Sequence, residues 1–120
     1  MVILDTNMIL RYLLNDNQEM ADKAEQYIKS GDVWVTIEVI AEVVYVLKGV
    51  YSLDRETIAN IIKGFLKLVN CSETDVLDRA LETYAERNLD FVDCVLFGYH
   101  TVHEAEIATF DKKLLKLISG

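Results

Sequence analysis

The sequence contains no proline, two cysteines and no long hydrophobic run. Cys71 and Cys94 stand apart, without a CxxC pair or a histidine at zinc-ligand spacing, which argues against a disulfide framework or a structural zinc site. They are typical of small buried side chains in a reducing cytoplasm. The longest apolar stretch, 39–47, is interrupted by Glu42 and is too short to span a bilayer. No basic, signal-like segment opens the sequence.

Positive charge is also scarce, since 12 lysines and arginines face 20 aspartates and glutamates, for a net charge of −8. Nucleic-acid binding depends on basic residues that neutralise phosphates, so the charge alone favours an ordinary soluble protein. This objection weakens if several carboxylates share one site and divalent ions neutralise them. A chain of 120 residues that is 52% hydrophobic can bury its own core, and we expect one domain over residues 1–120.

Short β-branched segments alternate with segments of helical periodicity. The pattern predicts strands at 2–5, 33–35, 69–72 and 106–110, and helices at 8–14, 18–29, 37–48, 54–68, 74–88, 91–103 and 112–118. The helix at 37–48 is apolar on nearly every side, including Tyr45, and is predicted to be buried. The alternation predicts a three-layer α/β/α sandwich whose central, mostly parallel sheet has four or five strands.

Several carboxylates are expected at one edge of this sheet. Asp5 follows the first, fully buried strand, and Asp111 follows the fourth, so both lie where α/β sheets place ligand sites. Asp90 and Asp93 begin a helix that starts at the same edge, and Glu42 interrupts the apolar helix after the second strand. Each acid alone has a structural explanation, as a helix cap or as a side chain that reaches solvent.

Helix capping does not explain why these acids converge. Neighbouring carboxylates repel one another, and some would protonate unless a cation joined them. An oxygen-only ligand set selects hard ions such as Mg²⁺ or Mn²⁺. Two such ions can activate a water and stabilise the leaving oxygen during attack on a phosphodiester. The acids therefore indicate a metal-dependent phosphodiesterase.

These segments resemble the PIN-domain family, and within it the single-domain VapC-type ribonucleases of toxin–antitoxin pairs. The resemblance covers nearly the whole chain and depends on four segments: Leu4-Asp5-Thr6-Asn7, Val39-Ile40-Ala41-Glu42-Val43, Leu89-Asp90-Phe91-Val92-Asp93 and Thr109-Phe110-Asp111-Lys112-Lys113. Family members usually continue into a last strand after the final short helix, and the few residues after Leu117 leave little room for one.

The resemblance implies a catalytic and metal-binding quartet of Asp5, Glu42, Asp93 and Asp111. It implies that Asp90 is an additional acid, and that polar residues orient the carboxylates or a bound water: Thr6, Asn7 and Thr109. It further implies Mg²⁺- or Mn²⁺-dependent cleavage of RNA in the cytoplasm, a homodimer, and inhibition by an antitoxin protein. The candidate residues for holding the RNA phosphates are Arg11, Lys48, Lys112, Lys113 and Lys116.

Two other functions fit parts of the sequence. An aspartate-based phosphatase typically carries a second aspartate two residues after the first, but this chain has Asn7 there, and an amide cannot donate the required proton. A non-catalytic RNA- or protein-binding module could keep the same fold, although a binding module has no need to crowd acids together. The activity that the resemblance implies is that of a metal-dependent endoribonuclease, and these two functions are its alternatives.

Overall fold

The computed structural model describes all 120 residues and contains a small parallel sheet surrounded by helices. Strands β1 (Val2–Ile3) and β2 (Val33–Trp34) pair in parallel, with Val2 opposite Val33. The helices are α1 (Thr6–Leu14), α2 (Gln18–Lys29), α3 (Ile37–Gly49), α4 (Arg55–Leu66), α5 (Thr74–Glu86), α6 (Phe91–His103) and α7 (Lys112–Ser119). All seven predicted helices are thus present, with ends close to those predicted.

The sheet is smaller than the four or five strands predicted. At the predicted third strand, Asn70 forms a single parallel bridge to Trp34. Residues 106–110, the predicted fourth strand, form no strand at all. The ends of this segment are held by local bonds instead, because the Ala105 amide donates to the Tyr99 carbonyl and the Asp111 amide donates to Thr109 Oγ1. The segment therefore stays outside the sheet.

Strand β1 consequently lies at the edge of the sheet rather than at its centre. Its one pairing partner is β2, and the bridge to Asn70 lies on the far side of β2. Leu4 is buried, but the Ile3 side chain is 57% exposed. The prediction of a fully buried first strand is therefore wrong, because no fourth strand covers that edge.

The core is one cluster of 23 buried residues to which Leu4, strand β2 and helices α1 and α3–α6 contribute. Helix α3 contributes four of them: Ile40, Val43, Val44 and Leu47. On its other face Glu42 is exposed and Tyr45 is 79% exposed, so the prediction that α3 is buried on every side is wrong. Helix α3 packs against α1, α4 and α6, which leaves this outer face in solvent.

Aspartates cap several helices and so fix where they begin. Asp5 accepts a hydrogen bond from the Met8 amide, and Asp54 accepts one from the Thr57 amide. The first helix was predicted to begin at Met8, two residues later than it does, because Asp5 caps it. Helices α4, α5 and α6 then pack against each other in chain order. None of the helices has the length and apolar character needed to cross a membrane.

Candidate active site

Asp5 lies at the carboxyl end of β1, as predicted, and it is also the N-cap of α1. Its Oδ1 accepts a hydrogen bond from the Met8 amide at 2.8 Å, while the side chain stays exposed. It lines a small apolar cavity of about 210 Å³ with Met8 and Tyr27 among its neighbours. Thr6 and Asn7 occupy the first turn of α1, and the Asp5 carboxylate receives its bond from the backbone rather than from either side chain.

Glu42 lies on the exposed face of α3, where it makes no ion pair or hydrogen bond. It lines neither the cavity that contains Asp93 and Asp111 nor the one that contains Asp5. The structure therefore does not bring Glu42 together with Asp93 and Asp111.

Three of the predicted acids do come together in a cavity of about 550 Å³, which we call the acidic cavity. Asp90 and Asp93 contribute from the start of α6, and Asp111 contributes from the start of α7. The other lining residues are Arg55, Asn88, Leu89, Phe110, Lys112 and Lys113. The convergence of Asp93 with Asp111, predicted from a shared sheet edge, thus occurs through two helix starts without a fourth strand.

The three carboxylates differ in how they are used by the fold. Asp111 Oδ1 accepts a hydrogen bond from the Leu114 amide at 2.9 Å and so caps α7. Thr109 Oγ1 accepts a bond from the Asp111 amide at 3.0 Å and fixes the backbone there. Asp90 occupies the N-cap position of α6, but its side chain makes no capping hydrogen bond. Its carboxylate is therefore free for another purpose.

Asp93 is half-buried on the first turn of α6. Burial raises the pKa of Asp93 above its ordinary value, and the nearby charges of Asp111 and Asp90 raise it further. The pKa rises because both effects disfavour the ionised form of the carboxyl group. A cation in the acidic cavity would oppose this rise in the pKa, since it would favour the ionised form and neutralise the repulsion between the three carboxylates.

The donor chemistry of the acidic cavity fits a hard divalent ion, since its acids offer carboxylate oxygens alone. The geometry is open, however, because no three acidic, histidine or cysteine side chains approach closely enough to hold one ion. Asp5 and Glu42 lie outside the acidic cavity. A complete four-carboxylate site would require these two side chains to move towards Asp93 and Asp111.

Arg55 holds the loop that leads into α6, a role that the sequence analysis missed. Its Nη1 donates to the carbonyl oxygens of Tyr84, Arg87 and Leu89 at 3.1, 2.8 and 2.8 Å. Its guanidinium also lies 4.2 Å from the centre of the Tyr84 ring. A signal was available, because Arg55 stands in the first turn of α4, where the helix dipole disfavours a cation. Such a cation must find its partners elsewhere.

The five basic candidates fall into two groups. Lys112 and Lys113 line the acidic cavity, and Lys113 and Lys116 line a cavity next to it. Arg11, in contrast, pairs with Asp16 at 2.7 Å, and Lys48 is exposed on the last turn of α3. Neither of them lines the acidic cavity.

Comparison with known proteins identifies the family of the chain. The model of the PIN domain family matches residues 2–118. A VapC ribonuclease from Aquifex aeolicus (strain VF5) is 30% identical over 102 residues, which cover 79% of this chain and 75% of that protein. No solved structure matches the chain. The small parallel sheet with its surrounding helices is consistent with the PIN-type α/β fold. The chain therefore belongs to the PIN-domain family, and within that family it is similar to a VapC ribonuclease.

Proposed function

We propose that this protein is a metal-dependent endoribonuclease and the toxin of a toxin–antitoxin pair. The observation that carries the proposal is the acidic cavity, in which Asp90 and Asp93 have no hydrogen-bond or ion-pair partner and face Asp111. What distinguishes these two acids from other unpaired acids of the chain is that they line one cavity with a third carboxylate. Membership of the PIN-domain family and similarity to a ribonuclease support RNA as the substrate.

The proposed metal ligands are Asp5, Glu42, Asp93 and Asp111, which are also the proposed catalytic residues. Bound Mg²⁺ or Mn²⁺ would lower the pKa of a water and stabilise the leaving oxygen. Asp90 would add negative charge beside Asp93, and Thr109 would hold the backbone of Asp111 in place. Thr6 and Asn7 are proposed to orient the Asp5 carboxylate or a water beside it. Hydrolysis in this manner leaves a 5′-phosphate and a 3′-hydroxyl.

The remaining parts of the proposal follow from the resemblance. Residues 1–120 would form one nuclease domain that acts in the cytoplasm as a homodimer. An antitoxin protein would block the acidic cavity by inserting a tail into it.

The central test replaces Asp5 with asparagine and measures RNA cleavage with Mg²⁺. Asparagine caps a helix as well as aspartate does, so the fold is expected to be kept. Loss of a ligand carboxylate should lower cleavage by about 100-fold or more. The same loss is expected for Asp93→Asn, and for wild type in EDTA.

The matched control is Asp75→Asn, which removes a first-turn acid from α5 just as Asp93→Asn removes one from α6. This variant should cleave like wild type. Full activity of Asp5→Asn, or of wild type in EDTA, would disprove the metal mechanism. In cells, growth arrest by wild type and not by Asp5→Asn, relieved by a protein encoded beside it, would support the toxin role.

A non-catalytic binding module is the alternative that one observation favours. No three ligating side chains lie close enough to hold an ion, so the chain could bind RNA without cutting it. RNA affinity that is equal with Mg²⁺ and with EDTA, together with no cleavage product, would support this alternative.

A further inference from the structure

A second cavity adjoins the acidic cavity and is lined by cations without an acidic side chain. We call it the basic cavity; its volume is about 470 Å³, and it is lined by Arg87, Asn88, Leu89, Lys113, Lys116, Leu117 and Gly120. Asn88, Leu89 and Lys113 line both cavities. The two cavities therefore form one continuous groove with carboxylates at one end and cations at the other.

The cations of the basic cavity are not used within the protein. Arg87, Lys113 and Lys116 form no ion pair, whereas several other cations pair with nearby acids: Arg11, Lys29, Lys63 and Arg79. No acidic side chain lines the basic cavity, although acids outnumber bases by 20 to 12 in the chain. A pocket of unpaired cations in such an acidic protein is suited to an anionic ligand.

An exposed aromatic ring lies in the acidic cavity together with Lys113. Phe110 lines the acidic cavity, is fully exposed and packs against no other aromatic ring. It directly precedes Asp111, so its position along the groove is tied to that of the carboxylates. Proteins that bind single-stranded nucleic acid commonly pair a cationic track for phosphates with exposed rings on which bases stack.

We infer that this groove binds single-stranded RNA beside the scissile bond, an inference that rests on the proposed function. Arg87, Lys113 and Lys116 bind phosphates next to the one in the acidic cavity, and a neighbouring base stacks on Phe110. Lys113 lines both cavities, so it links the reacting phosphate to the track of its neighbours. This geometry favours extended single strands, because stacking on Phe110 needs an unpaired base.

The test measures equilibrium binding of a short fluorescent oligouridylate in EDTA, where the proposed metal-dependent cleavage does not occur. The double variant Lys113→Gln/Lys116→Gln should bind about tenfold more weakly than wild type. Each phosphate contact in a single strand adds about 0.7 to the magnitude of the negative slope of log affinity against log salt. The magnitude of that slope should therefore decrease by about 1.4 in the double variant.

The matched control is Lys23→Gln/Lys67→Gln, which changes the net charge equally at two exposed lysines that form no ion pair and line neither cavity. Its affinity and salt slope should be those of wild type. Equal effects of the two double variants would overturn the inference, since they would show that net charge alone matters. Absence of RNA binding by wild type would overturn it as well.

The stacking role is tested by Phe110→Ala, which should weaken binding by about fivefold without changing the salt slope, because stacking releases no counterions. The control is Tyr45→Ala, which removes another highly exposed ring, on α3. An unchanged affinity of Phe110→Ala would remove base stacking from the inference.

Two further outcomes separate this inference from the proposed function. In the first outcome, wild type binds RNA, the Lys113→Gln/Lys116→Gln variant does not, and wild type never cleaves RNA with Mg²⁺. This outcome would support the groove and contradict the nuclease. A protein whose Lys113→Gln/Lys116→Gln variant loses polyglutamate binding but keeps RNA binding would overturn the groove as an RNA site. The groove would then bind an acidic polypeptide.

Discussion

The carboxylates of the candidate site fall into two groups, those that accept a backbone hydrogen bond and those that do not. Asp5 and Asp111 accept backbone hydrogen bonds as helix caps, while Asp90 and Asp93 accept none. A capping oxygen leaves the second oxygen of the same carboxylate available, so capping and metal binding are compatible in Asp5 and Asp111. The cap then also serves to aim the carboxylate, because the bond to the helix amide restricts its rotation.

Arg55 is the residue on which the geometry of the acidic cavity depends most. Arg55→Lys keeps the charge but loses the planar donors that bind carbonyls of the loop before α6. We expect the free energy of unfolding to fall by about 1–2 kcal/mol. We also expect cleavage to need a higher Mg²⁺ concentration, since Asp90 and Asp93 follow the released loop. Chemical denaturation and a Mg²⁺ titration of cleavage would measure the two effects.

Arg79→Lys is the control for this prediction, because Arg79 also lies near an aromatic ring and pairs with Glu82 on the protein surface. It should leave the Mg²⁺ dependence unchanged. An unchanged Mg²⁺ dependence in Arg55→Lys would mean that Arg55 supports stability alone.

The sequence predicted most of the candidate residues, but it did not predict how far apart they lie in the folded chain. The order of Asp5, Asp93 and Asp111 along alternating strands and helices predicted one shared edge, and Asp93 and Asp111 do meet. The position of Glu42 depends on how α3 is rotated about its axis. Its apolar residues do not determine that rotation, because they surround the helix on nearly every side. Arg55 was missed because the sequence does not identify its backbone partners, and its place in the first turn of α4 indicates only that the cation needs partners.

At the scale of helices and strands, local sequence determined the helices better than the sheet. Capping residues and apolar periodicity lie within each helix, so Asp54 and the stripe of α4 were visible beforehand. A strand is defined by its partner, and residues 106–110 have a β-type sequence without a pairing partner in this structure. Local hydrogen bonds hold the two ends of this segment instead. The Asp111 amide donates to Thr109 Oγ1, and the Ala105 amide donates to the Tyr99 carbonyl oxygen.

The contact between α5 and α6 depends on a glycine. A Cβ atom at Gly98 would lie 2.7 Å from the Val76 carbonyl oxygen and 3.2 Å from Val76 Cγ1. Gly98→Ala should therefore push the two helices apart and lower the free energy of unfolding by about 2 kcal/mol. Since α6 carries Asp90 and Asp93, RNA cleavage should fall as well. Thermal or urea unfolding would measure the first effect.

Gly64→Ala in α4 is the matched control, because a Cβ atom there would meet nothing within 4 Å. It should raise the free energy of unfolding by about 0.5–1 kcal/mol through helix propensity. A stabilising effect at Gly98 would show that α5 and α6 do not pack as closely as described.

At the scale of the whole molecule, the C-terminal part is the least firmly attached. The chain measures 47 × 30 × 19 Å, with a radius of gyration of 14.9 Å, against about 13.6 Å for a compact domain of this length. Helix α7 packs mainly on α6, and its buried residue Leu114 lies outside the 23-residue core cluster. This loosely attached part carries Asp111, Lys113 and Lys116, which the proposed reaction requires.

Native-state amide exchange should reveal this difference. Amides of α7 should exchange faster than those of α5 and α6, because opening of α7 exposes only Leu114 and the part of the core cluster that Leu117 covers. Mass spectrometry of peptides from these helices would measure the rates, with α6 as the internal reference. Equal protection of α6 and α7 would indicate that the C-terminal helix unfolds only with the whole molecule.

The open edge of β1 has a consequence for solubility. Val2 and Ile3 carry neither a charge nor a proline, and an unprotected edge of this kind can pair with the same edge of another molecule. Asp5 ends this edge with a negative charge, so two molecules that align there bring like charges together. The aspartate that we assign to catalysis thus also discourages aggregation, and Asp5→Asn would precipitate at lower concentration than wild type.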